Sequence, residues 1–155
     1  MFMALIHSIL MGAVAGMRSM TPLAAVANAA RSGKLPRDNG APGLLANPLA
    51  SAGMLALASG EIAGDKMKSA PDRIVLPGMV ARVATGMLAG AALAPRHQRG
   101  VAAVLGAAAA VGAAYLTFNL RMRAIERYGQ TSTGAVEDAI SVGAAALIVR
   151  SAAHE

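Results

Sequence analysis

GVAAVLGAAAAVGAAYLTFNL, residues 100–120, runs for 21 positions without one charged side chain. A helix rising about 1.5 Å per residue carries such a run across the roughly 30 Å of a bilayer's hydrocarbon. No polar face recurs at helical spacing within it, so a surface helix of a water-soluble bundle does not fit. Four further stretches share its character. Residues 2–17 are apolar apart from His7, and residues 41–60 are uncharged, although Pro42 and Pro48 confine the helix to the later part. Residues 74–94 are interrupted by Arg82, and residues 134–149 by Glu137 and Asp138. The expectation is an all-α protein: one transmembrane domain over residues 1–155, a polytopic helix bundle of about five segments.

Composition points the same way. Ala (38) and Gly (17) fill over a third of the 155 positions, hydrophobic residues make up 55%, and mean hydropathy is +0.52. Charged residues are 14%, against about 25% in ordinary soluble domains. A disordered chain is thereby excluded. The net charge of +6 suits anionic lipid headgroups. Nucleic acid is not an expected partner, because four aromatic residues, no Trp and no dense basic run leave neither stacking platforms nor a phosphate stripe. Without Cys there is no disulfide framework, thiol nucleophile or cysteine metal site. Ala13-Val14-Ala15 imitates a signal-peptide cleavage site, but no Lys or Arg precedes the apolar run, which argues against cleavage.

Polar pieces join the segments: RSGKLPRDNGAPG (31–43), residues 67–71, PRHQR (95–99) and YGQTST (128–133). With five segments these alternate between two sides. Lys66, Lys68, Arg73, Arg121, Arg123 and Arg127 fall on one, and Arg31, Lys34, Arg37, Arg96, Arg99 and Arg150 on the other. Six against six gives the positive-inside rule nothing to act on. Gly12/Gly16, Gly60/Gly64 and Gly86/Gly90 each place two glycines on one helix face, which permits close helix packing and makes a homodimer plausible.

The informative residues are ionisable groups within or beside apolar segments. Each costs several kcal/mol at the bilayer centre and therefore faces a partner or a water cavity. Glu61 and Asp65 stand four apart on one helix face, where they repel unless a cation, a shared proton or an Arg lies between them. That makes the pair the candidate cation or metal ligands. Lys66 is adjacent but about 100° round the helix. Glu137 and Asp138 point in different directions, so one of them at most faces a given site; near a helix N-terminus they would also suit a capping role. Arg18, in GMRSMTP (16–22) ahead of Pro22, marks a broken helix of the kind whose exposed ends form sites in transporters. Arg82 is expected to pair with a carboxylate. Arg121 and Arg123, after the cleanest span, complete the charge-pairing set. Both halves of the chain run a Gly/Ala helix to arginine and follow it with an acidic helix, an arrangement that suggests an inverted repeat.

No Glu-x-x-His, Gly-x-Ser-x-Gly, P-loop or dinucleotide fingerprint is present, so neither an enzyme nor a cofactor is expected. His7, His97 and His154 form no metal-binding pair.

Three stretches together, GAVAGMRSMTPLA (12–24), GEIAGDKMKSAPDR (60–73) leading to RVATGMLAGAALA (82–94), and VEDAIS (136–141), resemble domain-of-unknown-function family 4126, a group of bacterial multi-pass membrane proteins. The most specific part is Glu61, Asp65, Lys66 and Asp72 in order. The resemblance implies a location in the bacterial inner (cytoplasmic) membrane and adds Asp72 to the charged set. It implies no reaction. Glu61 to Met67 is also similar to the Glu-x-Gly-Asp-Lys-Ser/Thr motif of manganese/calcium–proton exchangers, with one extra residue and no final hydroxyl. The leading functional expectation is a transporter or channel for a cation or proton, with Glu61, Asp65, Glu137 and Asp138 as ligands or proton carriers beside Arg18 and Arg82. The alternative is a non-transporting scaffold or lipid-binding protein whose charges are structural ion pairs. In either case extraction should require detergent, and a chain that stays monodisperse in plain buffer on size exclusion would overturn the membrane reading.

Overall fold

A computed structural model describes residues 2–64 and 75–154. Among them are six α-helices and no strand: α1 (Phe2–Met17), α2 (Met20–Arg31), α3 (Pro48–Gly64), α4 (Leu76–Leu93), α5 (Arg99–Tyr128) and α6 (Gln130–Ala152). Proline places several of the starts. Pro48 opens α3 and Pro77 lies in the first turn of α4, where a missing N–H costs nothing. Gly129, at φ +83°, separates α5 from α6 in a conformation that favours glycine. The polar turn expected over residues 128–133 is thus compressed to one residue, and Arg121 and Arg123 belong to the helix α5.

Glycine contacts fix the directions of the helices. Gly12 lies against Gly106 and Gly16 against Ala110, so α1 and α5 run parallel. Gly90 lies against Ala102 and Gly86 against Gly106, so α4 runs antiparallel to both. Ala102, Gly106, Ala110 and Ala114 form the buried stripe of α5, and α1 and α4 both pack on it. The closeness depends on absent side chains: a Cβ on Gly90 would sit 2.7 Å from the carbonyl of Ala102, and one on Gly86 2.8 Å from that of Gly106. The Ser8 hydroxyl donates across the α1–α4 contact to the carbonyl of Gly90 at 2.8 Å. Gly60 and Gly64 meet nothing within 4 Å, so this glycine pair packs against no helix among the described residues.

The break expected in residues 16–22 falls at Arg18 and Ser19, and it reverses the chain. α1 runs from an end marked by the His7–Ser151 contact (3.1 Å) down to Met17, and α2 then returns to that end. Gly40 donates there to the carbonyl of Ala94 at 2.8 Å, so the loops after α2 and α4 sit together. The N-terminal run is therefore one arm of a helical hairpin, with α2 as the other. The inverted repeat is not realised in the expected form either. The reversal adds a helix to the first half, and α1 and α5, its supposed mates, point the same way.

Burial is inside out for a protein in water. Arg18 is 1% exposed and Arg82 5%, whereas Phe2, Leu49 and Leu76 are each more than three-quarters exposed. Among the described residues three helical stretches, Leu76–Leu93, Arg96–Tyr128 and Gln130–Ala152, are long and apolar enough to cross a membrane. The chain is that of a membrane protein whose small and polar residues face inward and whose large apolar residues face lipid. Gly106→Val should lower thermal stability in detergent by about 1–3 kcal/mol through overpacking. Gly112→Ala, where a Cβ meets nothing within 4 Å, should leave the melting temperature unchanged or slightly raised.

Candidate functional site

Breaking a helix strands backbone groups: the last carbonyls of α1 and the first N–H groups of α2 lose their helical partners. The N–H of Arg18 still reaches the carbonyl of Val14 at 2.8 Å, and Pro22, third in α2, has no N–H to satisfy. Three of the remaining groups are met from other helices. Glu61 of α3 accepts at Oε1 from the Ser19 N–H (2.8 Å) and hydroxyl (2.9 Å), and at Oε2 from the Met20 N–H (2.9 Å). A carboxylate at a helix N-terminus is favoured both by these bonds and by the helix dipole. Arg82 of α4 does the converse for α1. Its Nε–H donates to the carbonyl of Gly16 at 3.1 Å, and an Nη1–H donates to that of Gly78 at 2.9 Å. Positive charge thus meets the carbonyl end of α1.

Between the two caps sits Arg18. Its Nη2 forms a salt bridge with Oδ1 of Asp138 on α6, with both residues buried. Glu137, about 100° round α6, turns instead to α5, where its Oε2 accepts from Nη1 of Arg121 at 2.7 Å. Adjacent acids therefore serve different arginines. They are the eighth and ninth residues of α6, more than two turns in, which removes the capping role considered for them.

Arg18, Glu61, Arg82 and Asp138, from four separate stretches, thus meet at the break, and Arg121 and Glu137 share a cavity wall with Met17. Arg123 does not join them; it is exposed and makes no ion pair among the described residues. Asp65, Lys66 and Asp72 lie outside the described residues. The Glu61 oxygens already accept three hydrogen bonds, which leaves about one of their four lone-pair sites. Among the described residues no three His, Asp or Glu side chains come together as a metal site. For Glu61 the donor set is that of a helix cap.

Residue-by-residue reading missed the other half of each bond. Ser19 and Met20 contribute backbone N–H groups and Gly16 a carbonyl, none of which sequence type reveals. Ser19 three positions ahead of Pro22 does carry a helix-start signal. Two cavities approach the cluster. One of about 460 Å³ lies among α2, α3 and α6, with Thr21, Asn28, Ser51 and Ser59 on its wall; the other, of about 520 Å³, lies between α5 and α6.

Arg18→Gln should destabilise the fold by about 3–5 kcal/mol, because it removes a buried counter-charge of Asp138. The double change Arg18→Met with Asp138→Leu should recover most of that loss in thermal unfolding. Glu61→Ala should cost about 1 kcal/mol, the scale of a lost helix cap. Comparison with protein-family models, with curated proteins and with solved structures finds no match, so the site is read from its own geometry.

Proposed function

We propose that the protein is a small multi-pass transporter of the bacterial cytoplasmic membrane, moving a proton or small cation past the buried Arg18–Asp138 pair. In this reading all five apolar stretches are embedded. Helices α3 to α6 cross, and the α1–α2 hairpin enters from the loop end and turns back inside the bilayer. From Leu93 to Arg82 is eleven residues, so the hairpin tip lies about 17 Å from the loop end, within the roughly 30 Å of hydrocarbon. The resemblance to family 4126 supports the bacterial location.

The observation that carries the proposal is the salt bridge itself, buried at a helix break. Interrupted helices at membrane depth are tolerated where they line a cavity, and their ends are recurrent sites for ions. Along α2 and α6 the cavity that carries Thr21, Asn28, Ser51 and Ser59 begins within four residues of the pair, at Thr21 and Val142. Asp138 would take a proton or cation from that cavity while Arg18 turns to the carbonyl end of α1, which lies beside it, and return it when the salt bridge re-forms.

One observation favours the alternative of a scaffold with structural ion pairs: Glu61, Glu137 and Asp138 are each already held by N–H donors or an arginine. Proteoliposomes separate the two readings. Transport predicts pH- or cation-driven flux above that of empty vesicles, abolished in Asp138→Asn and retained in part in Asp138→Glu, with both variants still monodisperse in detergent. A scaffold gives no flux from the wild-type chain.

A further inference from the structure

Only Gly129 joins α5 to α6, yet the two helices part beyond it and flank the open cavity of about 520 Å³. Below the turn the Arg121–Glu137 salt bridge ties them together. The inner wall, formed by Met17, Leu120, Val136 and Ile140, is apolar; the outer wall carries Tyr128, Ser132 and Thr133. The transport proposal uses none of this space.

Depth assigns the two walls to different layers. α5 has 30 residues, about 45 Å, which is half as long again as the hydrocarbon is thick. With the uncharged residues 100–120 in hydrocarbon, Arg121 to Tyr128 reach the headgroup layer on the side away from the loops. The cavity therefore straddles the boundary, with Met17 and Ile140 at hydrocarbon depth and Tyr128 and Ser132 at headgroup depth. At the same level of α5, beside the lining residues, the charge is unbalanced. Residues 121–128 hold Arg121, Arg123 and Arg127 against Glu126. Glu137 occupies Arg121, while Arg123 and Arg127 are exposed, the latter with its guanidinium 5.7 Å from the centre of the Tyr128 ring on the cavity wall.

We propose that this cavity is a binding site for an anionic phospholipid. One acyl chain lies between α5 and α6, and the phosphate rests at the level of Arg123, Arg127 and Ser132. Long basic side chains at helix ends reach toward headgroups while their stems cover apolar surface, and each contributes to attraction for anionic lipid. A second copy is the poorer occupant. Two chains side by side in the same orientation would bring these arginines together, like charge on like.

Native mass spectrometry of the delipidated protein tests this, with phosphatidylglycerol and phosphatidylcholine as the added probes. The wild-type chain should retain phosphatidylglycerol preferentially. Arg123→Gln with Arg127→Gln, which breaks no ion pair among the described residues, should weaken phosphatidylglycerol roughly tenfold or more and leave phosphatidylcholine unchanged. Ala124→Trp, on the cavity wall, should displace both lipids while the melting temperature holds. Equal retention of the two lipids, or a double variant that binds like wild type, would overturn the headgroup assignment. A dimer that Ala124→Trp converts to monomer would overturn the site. None of these outcomes depends on whether the protein transports anything.

Discussion

Peptide groups stripped of hydrogen bonds are costly wherever water is scarce, and the chain reversal at Arg18 and Ser19 creates several of them at one point. Much of the bundle's arrangement answers that need. Glu61 brings the end of α3 to the N–H groups of α2, and Arg82 brings α4 to the carbonyls of α1. Arg18, carried into the interior by the turn, holds α6 through Asp138. Three helices are thereby referred to the tip of one hairpin. The charges costliest to place in lipid are the ones that specify how the helices meet.

Such bonds form only if the helices come close, and here small residues act. The stripe from Ala102 to Ala114 lets α5 take α1 on one flank and α4 on the other with backbones nearly touching. Lipid supplies no hydrophobic drive for this association, so shape and polar contacts must. The outward display of Phe2, Leu49 and Leu76 belongs to the same logic: large apolar side chains lose little in lipid and would obstruct the close contacts inside.

Buried charge pairs are compatible with both a fixed and a moving role. An arginine facing a carboxylate in a dry interior is a strong constraint, whereas the same pair beside a cavity is one that can be exchanged. Along α2 and α6, Arg18–Asp138 stands within four residues of the cavity among α2, α3 and α6. Arg121–Glu137 lies on the apolar one between α5 and α6, where it serves as a tie. Adjacent acids on one helix are assigned to different work by the 100° step between them.

The amino-acid sequence alone determined that this is a helical membrane protein, because an uncharged run of 21 residues has few other stable solutions. It also marked the break at Arg18, since Ser19 and Pro22 are local start signals, and it named the acids and arginines that lipid would force into company. Tertiary structure decided the partners. Which carboxylate meets which arginine depends on helix direction, and that depends on whether the chain crosses or turns back at Arg18, a choice no window of residues contains. The caps on the broken ends were out of reach for a related reason. One side of each bond is a backbone N–H or carbonyl, identical at every residue and distinguished only by where the helix stops.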